Sequence, residues 1–216
     1  MKTTNNTKQL KTKNQEISII SGGLSELIER CIKSFDRLSP RAIDDEKIKG
    51  EGIYALYYTG ELPLYKEYQN LNAEKLKAPI YIGTALNKQK TKGNSFEEKI
   101  KEQYRNIAKV SNLNPGDFYV KAMPVDSSFP SIAEAIESAL VSHYKPLWNS
   151  GLEGFASHNP GKGRTKQAPS DWDVIHPGRE WVTKLSGVPN DRRKITRRVQ
   201  KHMEALKETP LETQGQ

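Results

Sequence analysis

Two short segments constrain this chain more than any other feature. Gly52 to Thr59 and Pro79 to Thr84 are rich in Ile and Tyr, bounded by Gly or Pro, and too short for a typical helix, so both are predicted strands. A third, Asp117 to Met123, spaces Phe118, Val120 and Met123 in imperfect alternation and stops at Pro124. The residues between the first two, 60–78, are too many for a tight hairpin and are read as an inserted loop or short helix.

Helical patterns surround these strands. Leu24, Leu27, Ile28, Cys31, Ile32 and Phe35 fall on one helix face, which makes Cys31 a core residue rather than a reactive thiol. A second helix is predicted to start near Asn94 or Ser95, where Ser95 and Glu98 form a capping box ahead of Phe96, Ile100, Tyr104 and Ile107. A third begins at Ser131, carries Ile132, Ile136, Ala139, Leu140 and His143 along one stripe, and is stopped by Pro146. Strands and helices in this order give an α+β class.

The flanks differ in composition. Residues 1–16 hold Lys2, Lys8, Lys11 and Lys13 among Thr, Asn and Gln, with almost nothing to bury, and read as a flexible basic arm. Residues 17–150 form the predicted core with its N-terminal helix, and 151–216 a loop-rich basic extension in the same compact domain, with aromatic anchors at Phe155, Trp172 and Trp181. Arg192 to Lys201 has six basic residues in ten and no acid; Lys194, Arg197, Arg198 and Lys201 share one helical face, and Ile195, Val199 and Met203 another.

At 35% hydrophobic and 28% charged residues the 216-residue chain is polar but can still bury a core. Its net charge of +8 favours a polyanion partner through phosphate neutralisation. The longest apolar run is the six residues Ile53 to Tyr58, far short of a membrane span or a signal-peptide core. Cys31 is alone, so neither an internal disulfide nor a thiolate-rich zinc site is expected, and a reducing cytoplasmic location follows.

The most specific signal is the ordered pair Gly52-Ile53-Tyr54 and Tyr81-Ile82-Gly83, both on predicted strands, with the tyrosines 27 positions apart. A helix with a basic residue follows, then Glu137 and Asn149 in a helix-to-loop context. Over residues 52 to 149 this resembles the GIY-YIG nuclease superfamily. Gly154-Phe155, His158 to Arg164 and Trp172 to Arg179 extend the similarity to about residues 20 to 182, and resemble type II restriction endonucleases of the SacII-isoschizomer kind, which cut the GC-rich palindrome CCGCGG.

The resemblance implies a small three-stranded antiparallel sheet flanked by helices, and phosphodiester hydrolysis with one divalent metal, Mg²⁺ with Mn²⁺ able to substitute. The residue chemistry suits those roles. Tyr54 and Tyr81 carry phenols that can position or deprotonate water, the latter only if a cation lowers their ordinary pKa of ~10. Glu137 is the expected metal ligand, with Glu134 one turn earlier as competitor; it stands twelve residues before Asn149, as in the family pattern. Asn149 is expected to orient the site or touch phosphate. Where the family usually has Arg, then His or Tyr four residues on, this chain has Lys99 and Gln103. Lys99 is assigned as the phosphate clamp, with the charge of Arg but not its bidentate fork, and Gln103 cannot take a proton as His would.

His158, Asn159, Lys162, Arg164 and Arg179 are candidate contacts to base edges or phosphate, and the Lys194, Arg197 and Arg198 face a sequence-independent affinity element. Gly161-Lys162-Gly163 is not a phosphate loop, because it lacks the spaced first Gly, the following Ser or Thr, and a leading strand, so no nucleotide cofactor is expected. These expectations add up to a type II site-specific endonuclease acting on double-stranded DNA, as a homodimer matched to a two-fold site. The alternatives are a catalytically weak or silent DNA-binding protein on the same fold, and a repair or mobile-element nuclease.

Overall fold

Ile53 to Tyr58 are apolar at every position because their strand lies inside a sheet covered on both faces. In the computed structural model, which describes residues 25–45, 47–86, 95–126, 128, 130–159, 161, 163 and 165–208, all seven residues of this strand, β2 (Gly52–Tyr58), are buried. The described part begins with helix α1 (25–36) and a two-residue strand β1 (Arg41–Ala42). After β2 come α2 (Lys66–Asn72), β3 (Pro79–Ala85), α3 (Phe96–Ala108), β4 (Phe118–Pro124), α4 (Pro130–Tyr144), α5 (Asp171–Ile175) and α6 (Arg192–Glu208).

The sheet is antiparallel in the order β1-β4-β2-β3. It therefore has four strands rather than the expected three; β1, two residues long, is too short to leave an alternation in the sequence. The chain divides into two compact units at residues 37 and 38. In the first, Leu27 is half-exposed and Cys31 only partly buried, so the expected core position of Cys31 does not hold. The 1–16 arm lies outside the described residues.

In the second unit, one sheet face is built from Tyr54, Leu56, Tyr58, Phe118 and Val120 and shares a single buried cluster with Phe96, Ile100 and Ile107 of α3. Phe155, Trp172, Ile195, Val199 and Met203 belong to the same cluster, so residues beyond 150 complete the core rather than hang from it. On the alternate face Ile53, Ala55 and Tyr57 are buried, and α4 packs on β3 and β2. The 60–78 segment is a 3₁₀ turn (Pro63–Tyr65) leading into α2, and works as a clasp. Asn72 donates to Tyr58 O and Ala78 O at 3.0 Å and accepts from the amides of Lys77 and Ala78, while Tyr68 Oη accepts from Leu147 N at 3.0 Å.

Two helices are rotated from their expected faces. In α3 the capping box of Ser95 and Glu98 is present, but the buried positions are Phe96, Ile100, Gln103 and Ile107, and Tyr104 is exposed. In α4 the buried positions are Ala133, Leu140 and Tyr144, whereas Ile132 is 48% exposed. The stripe 133-137-140-144 carries Glu137 in its middle, which is why this carboxylate lies half-buried instead of in solvent. Among the described residues no helix is long and apolar enough to cross a membrane.

Candidate active site

The pairing register fixes the two tyrosines. Tyr54 lies opposite Gly83, and Leu56 opposite Tyr81, so both phenols project from the same face of adjacent strands, two positions out of step. Their ring centroids are 6.1 Å apart, and their hydroxyls share a hydrogen bond. Gly83 is the space into which they converge: a Cβ there would sit 3.0 Å from the Tyr81 hydroxyl and 3.2 Å from that of Tyr54. Gly52 serves the sheet instead, since its φ of +147° and a Cβ position 2.2 Å from Met123 O exclude a side chain where β2 meets β4.

Gln103 is buried and donates from Nε2 to Tyr54 Oη at 3.2 Å, while its Oε1 accepts from Asn106 at 3.3 Å. Burial, reinforced by Tyr81, holds the Tyr54 phenol well above its ordinary pKa; burial and then Glu137 push Tyr81 up to about 12. Both phenols are placed as hydrogen-bonding groups that can position water or phosphate.

Burial, followed by the neighbouring charge of Glu134, also raises the pKa of Glu137. A half-buried carboxylate crowded by a second one, and making no ion pair among the described residues, is the charge environment that a divalent cation relieves. Among the described residues no group of three or more His, Cys, Asp or Glu could hold a metal ion, so Glu137 would act with waters and phosphate oxygens. Asn149 lies in the π-helical turn Leu147–Gly151 and accepts from Ile82 N and donates to Ile82 O, both at 2.8 Å. It takes the place of a further strand along the outer edge of β3, and so holds Tyr81 and Gly83 in register rather than offering its amide to phosphate.

Glu102 is the residue that the sequence did not reveal. Its Oε2 lies 3.1 Å from Lys99 Nζ and its Oε1 3.2 Å from His158 Nδ1. It is also near enough to raise the pKa of both tyrosines. Read locally, Lys99 and Glu102 are an ordinary helical i,i+3 pair, and only the fold brings the loop histidine to them.

Beside Tyr81 opens a cleft of about 360 Å³ lined by Trp148, Asn149, Glu153, Phe155 and Ser157. A second cavity of about 430 Å³, which shares Ala156 and Ser157 with the first, is lined by His158, Asn159, Gln167, Ser170 and Trp181. Lys162 and Arg164 lie outside the described residues.

Two expected DNA contacts are engaged by the protein itself, Arg179 in the interior and Arg198 at the surface. Arg179 is 1% exposed and donates to Gly154 O at 3.0 Å and to Phe155 O, pairs with Asp173 at 3.4 Å, and lies 4.1 Å over the Trp172 ring. It therefore braces the 154–155 loop and cannot read a base edge. Arg198 donates to Gly151 O at 2.9 Å and pairs with Asp171, tying α6 to the start of α5. Lys194, Arg197 and Lys201 remain exposed along α6.

A facing tyrosine pair on adjacent antiparallel strands, with a helix that carries a basic residue behind it and a helical glutamate beside it, defines the GIY-YIG nuclease class. The model of the family described as the Eco29kI GIY-YIG domain matches residues 46–203, and the chain belongs to that family of restriction endonucleases. It is a site-specific nuclease that binds DNA. No curated protein matches the chain.

Proposed function

We propose that this protein is a type II deoxyribonuclease that hydrolyses double-stranded DNA at a short GC-rich palindrome, in the cytoplasm, with Mg²⁺ or Mn²⁺ held by Glu137. The observation that carries this reading is the convergence of Tyr54, Tyr81, Gln103, Glu102 and Glu137 at the β3 edge, beside an open cleft. The cation, when bound, neutralises charge on the scissile phosphate and acidifies water. The phenols orient the attacking water and a phosphate oxygen, and Gln103 fixes the Tyr54 hydroxyl. Lys99, held by Glu102, offers one ammonium to a non-bridging oxygen. Lys194, Arg197 and Lys201 give sequence-independent affinity, and His158, Asn159, Lys162 and Arg164 read the target. A two-fold site calls for a homodimer.

The test is incubation of the purified chain with supercoiled plasmid and Mg²⁺, which should give discrete fragments. Glu137→Ala should lose at least ~10²-fold in rate with unchanged circular dichroism and DNA binding, whereas Glu134→Ala should be mild. Unchanged turnover in Glu137→Ala would remove its assignment. Lys99 and Gln103 in place of Arg and His favour one second reading, a catalytically silent DNA-binding protein; tight DNA binding with no cleavage in either metal would establish it.

A further inference from the structure

We propose that the cavity of about 430 Å³ receives one base turned out of the DNA helix, stacked on Trp181 and held along its polar edge by Gln167 and Asn159; this rests on the nuclease reading above. Of the three tryptophans, Trp148 and Trp172 are buried in the aromatic cluster of the core. Trp181 is only half-buried, lines the cavity, and makes no ring contact among the described residues. Its position is set by its neighbours. Arg179, two residues earlier, is locked inside by Gly154 O, Phe155 O and Asp173. The 3₁₀ turn Glu180–Lys184 is closed by Val182 N donating to Arg179 O and Leu185 N to Val182 O, both at 3.0 Å. Gln167 is fixed at its backbone too: Gly187 N donates to Gln167 O at 3.1 Å, and Ser186 N to Thr165 O at 2.8 Å. The cavity is thus formed in the free protein, which limits the ordering that binding must overcome.

The lining selects a neutral heterocycle over a phosphate. In a chain of net charge +8, the described residues around this cavity include no Lys, Arg, Asp or Glu, whereas phosphate recognition rests on cations. The cavity offers instead an indole face and two carboxamides, and a carboxamide pairs a donor with an acceptor as a base edge does. Among the described residues Gln167 makes no side-chain hydrogen bond, and Asn159 uses only Oδ1, which accepts from Gly161 N at 3.0 Å. The Ser170 hydroxyl is already taken, donating to Asp173 at 2.6 Å. Placement agrees with chemistry. The cavity shares Ala156 and Ser157 with the cleft beside Tyr81, and His158 on its lining lies 3.2 Å from Glu102, the neighbour of Gln103. A phosphate in that cleft brings the adjoining nucleotides to the cavity. Paired bases present edges in the grooves and hide their faces in the stack, so an indole set in a cavity wall is reached only by a base that has left it.

Orphaned bases test this. Plasmid cleavage by the full-length chain in Mg²⁺ first maps the cut site. Duplexes carrying that site are then made with an abasic residue opposite each nucleotide in turn, so that one base at a time has no pair to leave, and a gel-shift titration in EDTA reads the affinity. One position, with its two-fold mate, should bind at least about tenfold tighter than the intact site, since pairing no longer opposes extrusion. Trp181→Ala should erase that gain and weaken binding to the intact site by about 5- to 150-fold, the range of a lost base–aromatic stack. Trp181→Phe, which keeps an aromatic face, should restore most of both. Gln167→Ala, a change at an exposed position that leaves the fold alone, should reduce discrimination between bases at that position by about tenfold. If no position tightens, or if Trp181→Ala keeps the gain, the assignment is overturned while plasmid cleavage leaves the nuclease reading intact. A protein that cuts no plasmid in either Mg²⁺ or Mn²⁺ overturns both.

Discussion

Gly83 shows how much chemistry can depend on a missing side chain. The residue sits in regular β3 pairing opposite Tyr54, so the backbone does not require glycine; the two phenols do. In a Gly83→Ala protein the methyl would stand 3.0 Å from the Tyr81 ring and hydroxyl, and one or both tyrosines must move. We expect cleavage to fall by at least ~10²-fold, because a displacement near 1 Å is enough to misplace a reacting water, while stability changes by about 1 kcal/mol. Rate and melting temperature measured on the same preparation check this, and undiminished cleavage would show that the phenols do not position reactants. Gln103 and Glu102 belong to the same scale. They are neighbours in α3, one buried against Tyr54 and the other turned to Lys99 and His158.

The α6 helix separates two uses of positive charge that look alike in composition. Its Ile195, Val199, Met203 and Leu206 stripe docks it on the core, and Arg198 bolts that docking to Gly151 and Asp171. Lys194 and Arg197 face outward. Arg198→Ala should therefore cost about 1 kcal/mol of stability through the lost carbonyl bond and ion pair. Lys194→Ala with Arg197→Ala should leave the melting temperature alone and reduce the salt slope of DNA binding by roughly 1 per lost phosphate contact. Equal effects of the two variants on melting and on the salt slope would defeat this division. The Asp171 end of the bolt adds a pH signature. Although burial opposes it, bonding to Arg198 and Asn190 lowers the Asp171 pKa below 3.8, so the contribution is present above that value and is lost as the pH falls through the lower folded value.

Across the whole molecule, the β-sheet is joined to the C-terminal segment by an aromatic cluster centred on Trp148, whose ring centroid lies 4.3 Å from Phe155 and 5.7 Å from Trp172. A polar chain runs through it: Trp148 Nε1 donates to Tyr65 Oη at 3.0 Å, Tyr65 Oη meets His176 Nε2 at 2.6 Å, and His176 Nδ1 meets Asn112 Oδ1 at 2.9 Å. The Asn112 acceptor places the imidazole proton on Nδ1, leaving Nε2 to accept from Tyr65. Burial, then Arg192 and Arg179, lowers the His176 pKa from 6.5 to about 3. The unfolded chain takes up a proton between those values that the folded protein refuses, so stability is complete above pH 6.5 and falls as the pH drops through the window. The slope is at most about 1.4 kcal/mol per pH unit for one group. Urea unfolding at pH 6.5, 5.5 and 4.5 should show His176→Gln to be less stable at neutral pH but flatter toward acid. Parallel curves for the two proteins would contradict a neutral buried His176.

The sequence by itself determined the features that local order encodes. The Ile- and Tyr-rich segments bounded by Gly and Pro became β2 and β3, the Ser95 capping box starts α3, and α6 buries the stripe read from its periodicity. The two tripeptides and the Glu137 to Asn149 spacing led to the fold class and to the family. Only the tertiary structure decided what each polar group faces. Helical spacing alone did not select Gln103 over Tyr104, or the Glu137 stripe of α4 over the Ile132 one, since a helix face is buried only where another element covers it. Arg179 and Arg198 carry the same charge as Lys194 and Arg197, but the fold presents them with backbone carbonyls of the 151–155 turns and with Asp173 and Asp171. Glu102 and His158 are 56 residues apart and meet because the 152–159 loop is anchored by Phe155 against Tyr81 and Trp148. Local sequence sets the conformation of a segment, whereas the fate of a charge depends on which distant dipoles and carboxylates surround it after collapse.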